Sequence, residues 1–185
     1  MKSELRYGII GAGSMGREHI ENIKVMGGAT VTAISDPHAP SQEAALAMAP
    51  GATVFTDHRA LLESGLVDAV VIATPNDTHA AVLKDVLESD LAVFVEKPLA
   101  TTVEDLKSIL AWDEKRSAMT WMGLEYRFMP PVAEAIARAK EGEAGKIHQV
   151  SIREHREPFY PKVDNWNRFS ERTGGTLVEK CCHYF

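Results

Sequence analysis

Cysteine is scarce in this chain. Its 185 residues hold two, Cys181 and Cys182, and they are neighbours. Adjacent cysteines cannot build a disulfide framework, which points to a reducing compartment. Runs of basic residues are missing too, and the net charge is −6. Nucleic acid and anionic membrane surfaces are therefore poor partners. No stretch approaches the roughly 18 consecutive apolar residues of a membrane span. The opening Met1-Lys2-Ser3-Glu4 lacks the apolar core and cleavage site of a signal peptide. A cytoplasmic protein is expected. There are no internal repeats and no low-complexity tracts.

What remains is ordinary globular composition, 45% hydrophobic and 25% charged. A chain of this length can bury a core without disulfides or metals. Short apolar runs alternate with helical patterns. Strands are expected at Leu5–Ile10, Ala29–Ile34, Thr53–Phe55, Asp68–Ala73, Leu91–Glu96 and Ala118–Met122. Helices are expected at Met15–Val25, Ser41–Ala49, Asp57–Glu63, Asp77–Glu88 and Thr102–Arg116. Strict alternation predicts a doubly wound α/β fold, with a parallel sheet covered by helices on both faces. The near-continuous apolar run at residues 68–73 fits a strand buried on both sides.

The rhythm changes after Gly123. A helix is expected over Val132–Lys140, then a long polar strand over Ile147–Glu154. An irregular stretch with Pro158, Pro161 and Trp166 follows, then Gly174-Gly175 and the start of a helix that runs to Phe185. The reading is a dinucleotide-binding domain over residues 1–122 and a partial α+β domain over residues 123–185. A second domain of about 60 residues closes its own core with difficulty, so the sequence reads as a fragment.

Gly11-Ala12-Gly13-Ser14-Met15-Gly16 fits G-x-G-x-x-G between a strand and a helix. That context makes it a phosphate-binding turn. Gly11 permits the tight bend, Gly13 lets a pyrophosphate approach, and Gly16 lets helix and strand pack closely. Ser14 and Met15 open the helix whose N-terminus faces the phosphates. Asp36 lies 20 residues beyond Gly16. A carboxylate there accepts hydrogen bonds from the adenosine ribose and repels a 2′-phosphate, so NAD is favoured over NADP. Thr74-Pro75-Asn76 ends the fourth strand and Glu96-Lys97-Pro98 the fifth. Both belong at the ligand edge of such a sheet. His79 falls in the first turn of a helix, either facing the dinucleotide or solvated. Pro98 keeps the Lys97 backbone extended. Lys97 then either hydrogen-bonds a substrate hydroxyl or pairs with Glu96 at the surface.

Three motifs together, G-x-G-x-x-G, A-T-P-N-x-x-H at residues 73–79 and E-K-P at residues 96–98, resemble the glucose–fructose oxidoreductase / inositol dehydrogenase (Gfo/Idh/MocA) family. LEYRFMP at residues 124–130 is similar to the segment that opens that family's second domain. GGTLVEKCCH at residues 174–183 is similar to its G-G-x-L-x-D-x-G-x-H motif. The resemblance covers essentially the whole chain, and family members continue well beyond this point. It implies a substrate-binding and catalytic Lys97, and a His183 that exchanges a proton with the reacting hydroxyl. It places Glu179 on the family's aspartate, and one helical turn would put Glu179 and His183 on one face. It implies a cis Lys97–Pro98 peptide, and a homo-oligomer when full length. Two departures stand out: Glu179 for aspartate, and Cys181 where the family carries glycine.

The expected activity is reversible dehydrogenation of a sugar or cyclitol hydroxyl with NAD. His183 serves as base, Lys97 orients the hydroxyl, and Glu179 orients His183 or binds a further hydroxyl. Trp166 and Arg168, in NWNRF, either line the substrate cleft or fill the domain interface. Two other readings share the fold: a dinucleotide-binding regulator without turnover, and a glycoside hydrolase that uses NAD transiently. A metal site from Glu179, Cys181, Cys182 and His183 is disfavoured, because adjacent cysteines chelate one ion poorly.

Overall fold

The computed structural model describes residues 4–155 and 160–184. Pro158 and Phe185 lie outside the described residues. Six parallel strands, β1 (Leu5–Ile10), β2 (Ala29–Ser35), β3 (Thr53–Phe55), β4 (Ala69–Ile72), β5 (Ala92–Glu96) and β6 (Thr120–Gly123), form one sheet in the order β3-β2-β1-β4-β5-β6. The order reverses between β1 and β4, which opens a crevice at the carboxyl ends of those strands.

Helices α1 (Ser14–Met26), α2 (Ala39–Met48), α3 (His58–Glu63), α4 (His79–Leu87) and α5 (Val103–Asp113) connect the strands. The sheet is apolar on both faces because neighbouring strand residues point opposite ways. Ile9 and Val71 join Ile20, Ile23, Ile34 and Ala45 in one core layer. Their neighbours Ile10, Val70 and Ile72 join Leu83, Val86, Val95 and Ile109 in the other. All four residues of β4 are buried, as its unbroken apolar run requires.

Local chemistry sets the helix starts. Asp57 caps α3, its carboxylate accepting from the Arg59 amide at 2.9 Å. Thr102 caps α5, its hydroxyl accepting from the Asp105 amide at 3.1 Å. Each cap satisfies a donor that the first helical turn leaves over. At the amino end of β1 the Arg6 guanidinium donates to Asp68 at 2.6 and 3.0 Å, and the Arg6 amide adds a third hydrogen bond at 2.9 Å.

Beyond β6 come a 3₁₀ turn at Glu125–Phe128 and α6 (Pro130–Lys140). Prolines at the start of α6 explain why it begins two residues before the expected Val132, since a first-turn proline lacks only an N–H that would go unused. The strand expected over Ile147–Glu154 is not there: among the described residues this segment has no ladder partner and no regular structure. Alternating character suits a strand but does not make one without a neighbour to pair with. A 3₁₀ stretch at Val163–Arg168, α7 (Ser170–Thr173), α8 (Gly175–Glu179) and a 3₁₀ turn at Cys181–Tyr184 follow. This region fastens to the sheet through Asp77 and Asn76. Arg172 bridges Asp77 at 3.0 Å, and the buried Asn76 amide donates to the Thr173 carbonyl at 3.4 Å. Among the described residues no helix is long and apolar enough to cross a membrane.

Candidate active site

The glycine turn leaves β1 at its carboxyl end. Gly11 has φ +93°, and a Cβ there would meet the Ala73 backbone at 2.6 Å. Gly16 sits under the turn, where a Cβ would come within 2.0 Å of the Gly11 carbonyl oxygen. Gly13 is different: no atom lies within 4 Å of where its Cβ would be. Two glycines are thus demanded by the protein's own packing, and the middle one leaves room for something else. Gly13 also caps α1 without any side-chain hydrogen bond. An open helix N-terminus beside an open glycine fits the diphosphate of a dinucleotide.

Asp36 follows β2 and reaches back to this turn. Its carboxylate accepts from the Ala12 amide at 2.7 Å and from the His38 amide at 2.8 Å. It therefore braces the turn from within, and it also lines the cavity where a ribose would lie.

Thr74, Pro75 and Asn76 carry the chain out of β4 into a 3₁₀ turn at Asn76–Thr78. His79 neither faces a dinucleotide nor meets solvent. It is fully buried, with Nδ1 2.7 Å from the Pro98 carbonyl oxygen and Nε2 3.0 Å from the Thr74 carbonyl oxygen. Burial pushes its pKa below the ordinary histidine value. A neutral ring donates to one of these carbonyls only. His79 is a crosspiece between the loops after β4 and β5.

At the end of β5, Glu96 does not pair with Lys97. Its carboxylate is 2.8 Å from His19 Nε2, which ties β5 to α1. The Lys97–Pro98 peptide is cis. Lys97 Nζ donates to the Glu179 carbonyl oxygen at 3.1 Å. That oxygen closes α8, and a cation suits a helix carboxyl end. The helix stops there, so Glu179 and His183 do not share one continuous helical face. The Glu179 carboxylate turns to Lys180 Nζ, 3.4 Å away.

His183 belongs to the 3₁₀ turn and its side chain is only 4% exposed. Its ring stacks on Tyr126, with centroids 4.1 Å apart and planes 10° from parallel. The nearest carboxylate to its Nδ1 is Glu125 at 3.7 Å, not Glu179. Burial first, then the charge of Lys97, lowers the His183 pKa to about 4. The ring is thus held neutral at physiological pH. Partial burial raises the Glu125 pKa. Tyr126 and Tyr184 both donate to Glu154, at 3.1 and 2.7 Å, which supports the stacked pair from behind. Cys182 is half-buried, and burial raises its thiol pKa.

These groups line one cavity of about 1370 Å³. That exceeds the 300–1,000 Å³ or so of pockets for drug-sized ligands. Gly11, Gly13, Ser14, Met15, Asp36, Thr74, Pro75, Asn76, Glu96, Lys97, Trp166, Glu179 and His183 all contribute to its wall. Gly16, His79 and Arg168 do not. Gly16 and His79 are packed beneath it, and Arg168 is exposed and outside its lining. Trp166 lines this cavity. Among the described residues no three histidine, cysteine or acidic side chains gather as a metal would need.

Sequence reasoning assigned no role to Glu125, Tyr126, Glu154 or Lys162, all of which line the cavity, nor to His19. LEYRFMP was the available signal for the first two. The others reach the site only through folding of distant segments.

Comparison with known proteins agrees with this geometry. Residues 5–124 match the family model for an oxidoreductase family with an NAD-binding Rossmann fold. Residues 136–185 match the model for the same family's C-terminal alpha/beta domain. The chain is 36% identical over 149 residues to inositol 2-dehydrogenase of Corynebacterium glutamicum, covering 80% of this chain and 44% of that protein. Myo-inositol dehydrogenase of Lactobacillus casei, solved with NAD(H) and myo-inositol, superposes with TM-score 0.71 at 32% identity, over 75% of this chain and 42% of that one. A probable dehydrogenase of Thermotoga maritima superposes with TM-score 0.81 at 26% identity, over 98% of this chain and 53% of that one. The chain spans about half the length of the curated relatives it matches. With the NAD-type glycine turn, the cis-proline lysine and both family domains in place, the chain belongs to the Gfo/Idh/MocA family of NAD-binding oxidoreductases.

Proposed function

We propose that this chain supplies the dinucleotide site and the reacting groups of an NAD-dependent dehydrogenase acting on a ring hydroxyl of a cyclitol or sugar. One observation supports this most. Lys97, from the Rossmann sheet, and His183, from the second segment, line the same cavity as the glycine turn. When bound there, NAD supplies the acceptor for the hydrogen leaving carbon.

The chain's own residues then handle the hydroxyl. Lys97 is a cation positioned to hydrogen-bond the substrate oxygen and to stabilise it as its proton departs. Its present partner, the Glu179 carbonyl, holds the ammonium in place until substrate arrives. His183 is neutral at pH 7, because its pKa lies near 4, and so is free to accept that proton. Stacking on Tyr126 limits the ring to small motions in its own plane. Cyclitols lead the substrate classes because a solved relative was captured with myo-inositol.

The test is a panel of cyclitols, polyols and aldoses with NAD on the full-length protein, following absorbance of the reduced cofactor. Turnover is expected on at least one cyclitol or aldose. Lys97→Ala should lower kcat by about 100-fold or more, as losing a donor to developing oxyanion charge does elsewhere. A Lys97→Ala variant with unchanged kcat on that substrate would remove the assignment. NADH binding without turnover on any member of the panel would favour a regulator of the same fold.

A further inference from the structure

Lys162 has an odd position for a lysine. It comes from the second segment, yet its Nζ donates to Ser14 Oγ at the N-terminus of α1. The side chain is partly buried, and it forms no ion pair among the described residues. Two other cations, Arg17 and Lys97, stand close enough to oppose its charge. Burial first, and then these two, hold its pKa below the usual lysine value, with Glu179 and Glu96 acting the other way. A partly buried ammonium satisfied by one hydroxyl is poorly compensated. On the same turn, Gly13 leaves open space. The loop that delivers Lys162 is also held in an uncommon shape. Asp164 and Asn165 both have left-handed backbones, at φ +53° and +51°, and the Asn165 amide donates to the Lys162 carbonyl at 2.9 Å. Non-glycine residues keep such conformations where their surroundings hold them, often at ligand sites.

We propose that Lys162 is a pyrophosphate ligand, brought to the glycine turn by the loop at residues 160–168, so that dinucleotide binding and seating of this loop reinforce each other. This rests on the glycine turn being the dinucleotide site. A diphosphate over Gly13 supplies the negative charge that Lys162 and Arg17 lack, and Lys162 moves from the Ser14 hydroxyl to a phosphate oxygen. Because Trp166 stands four residues on in the same loop and lines the cavity, seating the loop also sets one wall of the substrate space. Affinity for the cofactor and the shape of the substrate site are thereby linked through one side chain.

The test is binding, not turnover. NADH and ADP-ribose are titrated against the full-length protein by calorimetry, with wild type, Lys162→Gln and Lys162→Arg, at several salt concentrations. Lys162→Gln keeps most of the length and removes the charge. It should weaken both ligands about tenfold or more, as expected for one charge-assisted hydrogen bond. It should also flatten the salt dependence of binding, and Lys162→Arg should restore most of the affinity. If Lys162→Gln binds NADH within twofold of wild type, or if Lys162→Arg is as weak as Lys162→Gln, the role assigned to Lys162 is wrong. If wild type binds neither ligand, it is the dinucleotide reading of the glycine turn that fails. Should Lys162→Gln unfold, as circular dichroism would show, Lys162→Met serves instead. It keeps the aliphatic stem and removes the charge, and it should also weaken NADH about tenfold; binding within twofold of wild type would overturn the proposal.

Discussion

The imidazole of His183 lies flat on the phenol ring of Tyr126, 4.1 Å between centroids and 10° from parallel. One ring comes from the segment after β6, the other from the last turn of the described chain. The stack covers a face of the histidine, and burial of the ring is the first cause of its low pKa. Tyr126→Ala removes the cover, and the His183 pKa should rise from about 4 towards its ordinary 6.5. NMR titration of the ring protons measures this directly. The acid limb of kcat/KM should move up with it. Tyr126→Phe keeps the stack and should leave both where they are. The same shift links to stability. Folded His183 holds its proton less tightly than the unfolded side chain, so folding expels a proton. Its contribution is full above about pH 6.5 and declines as pH falls to about 4. Tyr126→Ala should shrink that decline, read from denaturation midpoints across the same pH range.

The glycine turn gives a sharper contrast, because its glycines have different reasons to be glycine. Gly16→Ala sets a methyl group 2.0 Å from a backbone oxygen. No side-chain rotation relieves that clash, so α1 must shift against β1. We expect loss of stability of about 2 kcal/mol or more and loss of NADH binding together. Gly13→Ala places its methyl in open space at an ordinary φ of −66°. It should fold with an unchanged melting midpoint and still bind NADH at least tenfold more weakly. Paired melting curves and NADH titrations check both. Unchanged NADH affinity in Gly13→Ala would place the diphosphate elsewhere.

This division explains how much of the molecule could be read from residues alone. The sheet was legible because each strand is a short apolar run and each helix has a local start signal, such as Asp57 or Thr102. The glycine turn was legible because its spacing and the following carboxylate are local features, although the demand on Gly11 comes from the distant Ala73 backbone. The position of Lys97 at the cavity edge was legible from its place at the end of the fifth strand, whereas local sequence alone favoured a surface lysine paired with Glu96, and only the family resemblance pointed away from it. What failed depended on distant partners. The expected strand over residues 147–154 needed a neighbour that local pattern does not specify. The shared face of Glu179 and His183 assumed a continuous helix, whereas α8 ends at Glu179, whose carbonyl Lys97 takes. Arg168 sits two residues from Trp166 in sequence but does not join it in the cavity wall. Lys162 and Ser14 are 148 residues apart, and nothing in either neighbourhood announces the other.

His79 was the residue most open to misreading, since its place in the first turn of a helix suggests water or ligand. Its actual partners are two carbonyl oxygens, one before it in the chain and one well after, with no solvent in reach. Replacing it by leucine keeps much of the volume and removes both ring nitrogens. Whichever of the Thr74 and Pro98 carbonyls accepts from the ring then loses its buried donor, and an unmet buried polar group costs about 1–3 kcal/mol. We expect His79→Leu to lose about 3 kcal/mol in urea unfolding with an unchanged m value, since the surface exposed is the same. The functional consequence should be indirect. His79 holds the Pro98 carbonyl, and the Lys97 side chain leaves the backbone one residue earlier. Loosening that loop lets the ammonium wander, so kcat should fall by about tenfold while NADH affinity, set at the glycine turn, changes little. A large loss of NADH affinity at temperatures where the variant is fully folded would instead mean that His79 supports the dinucleotide site itself.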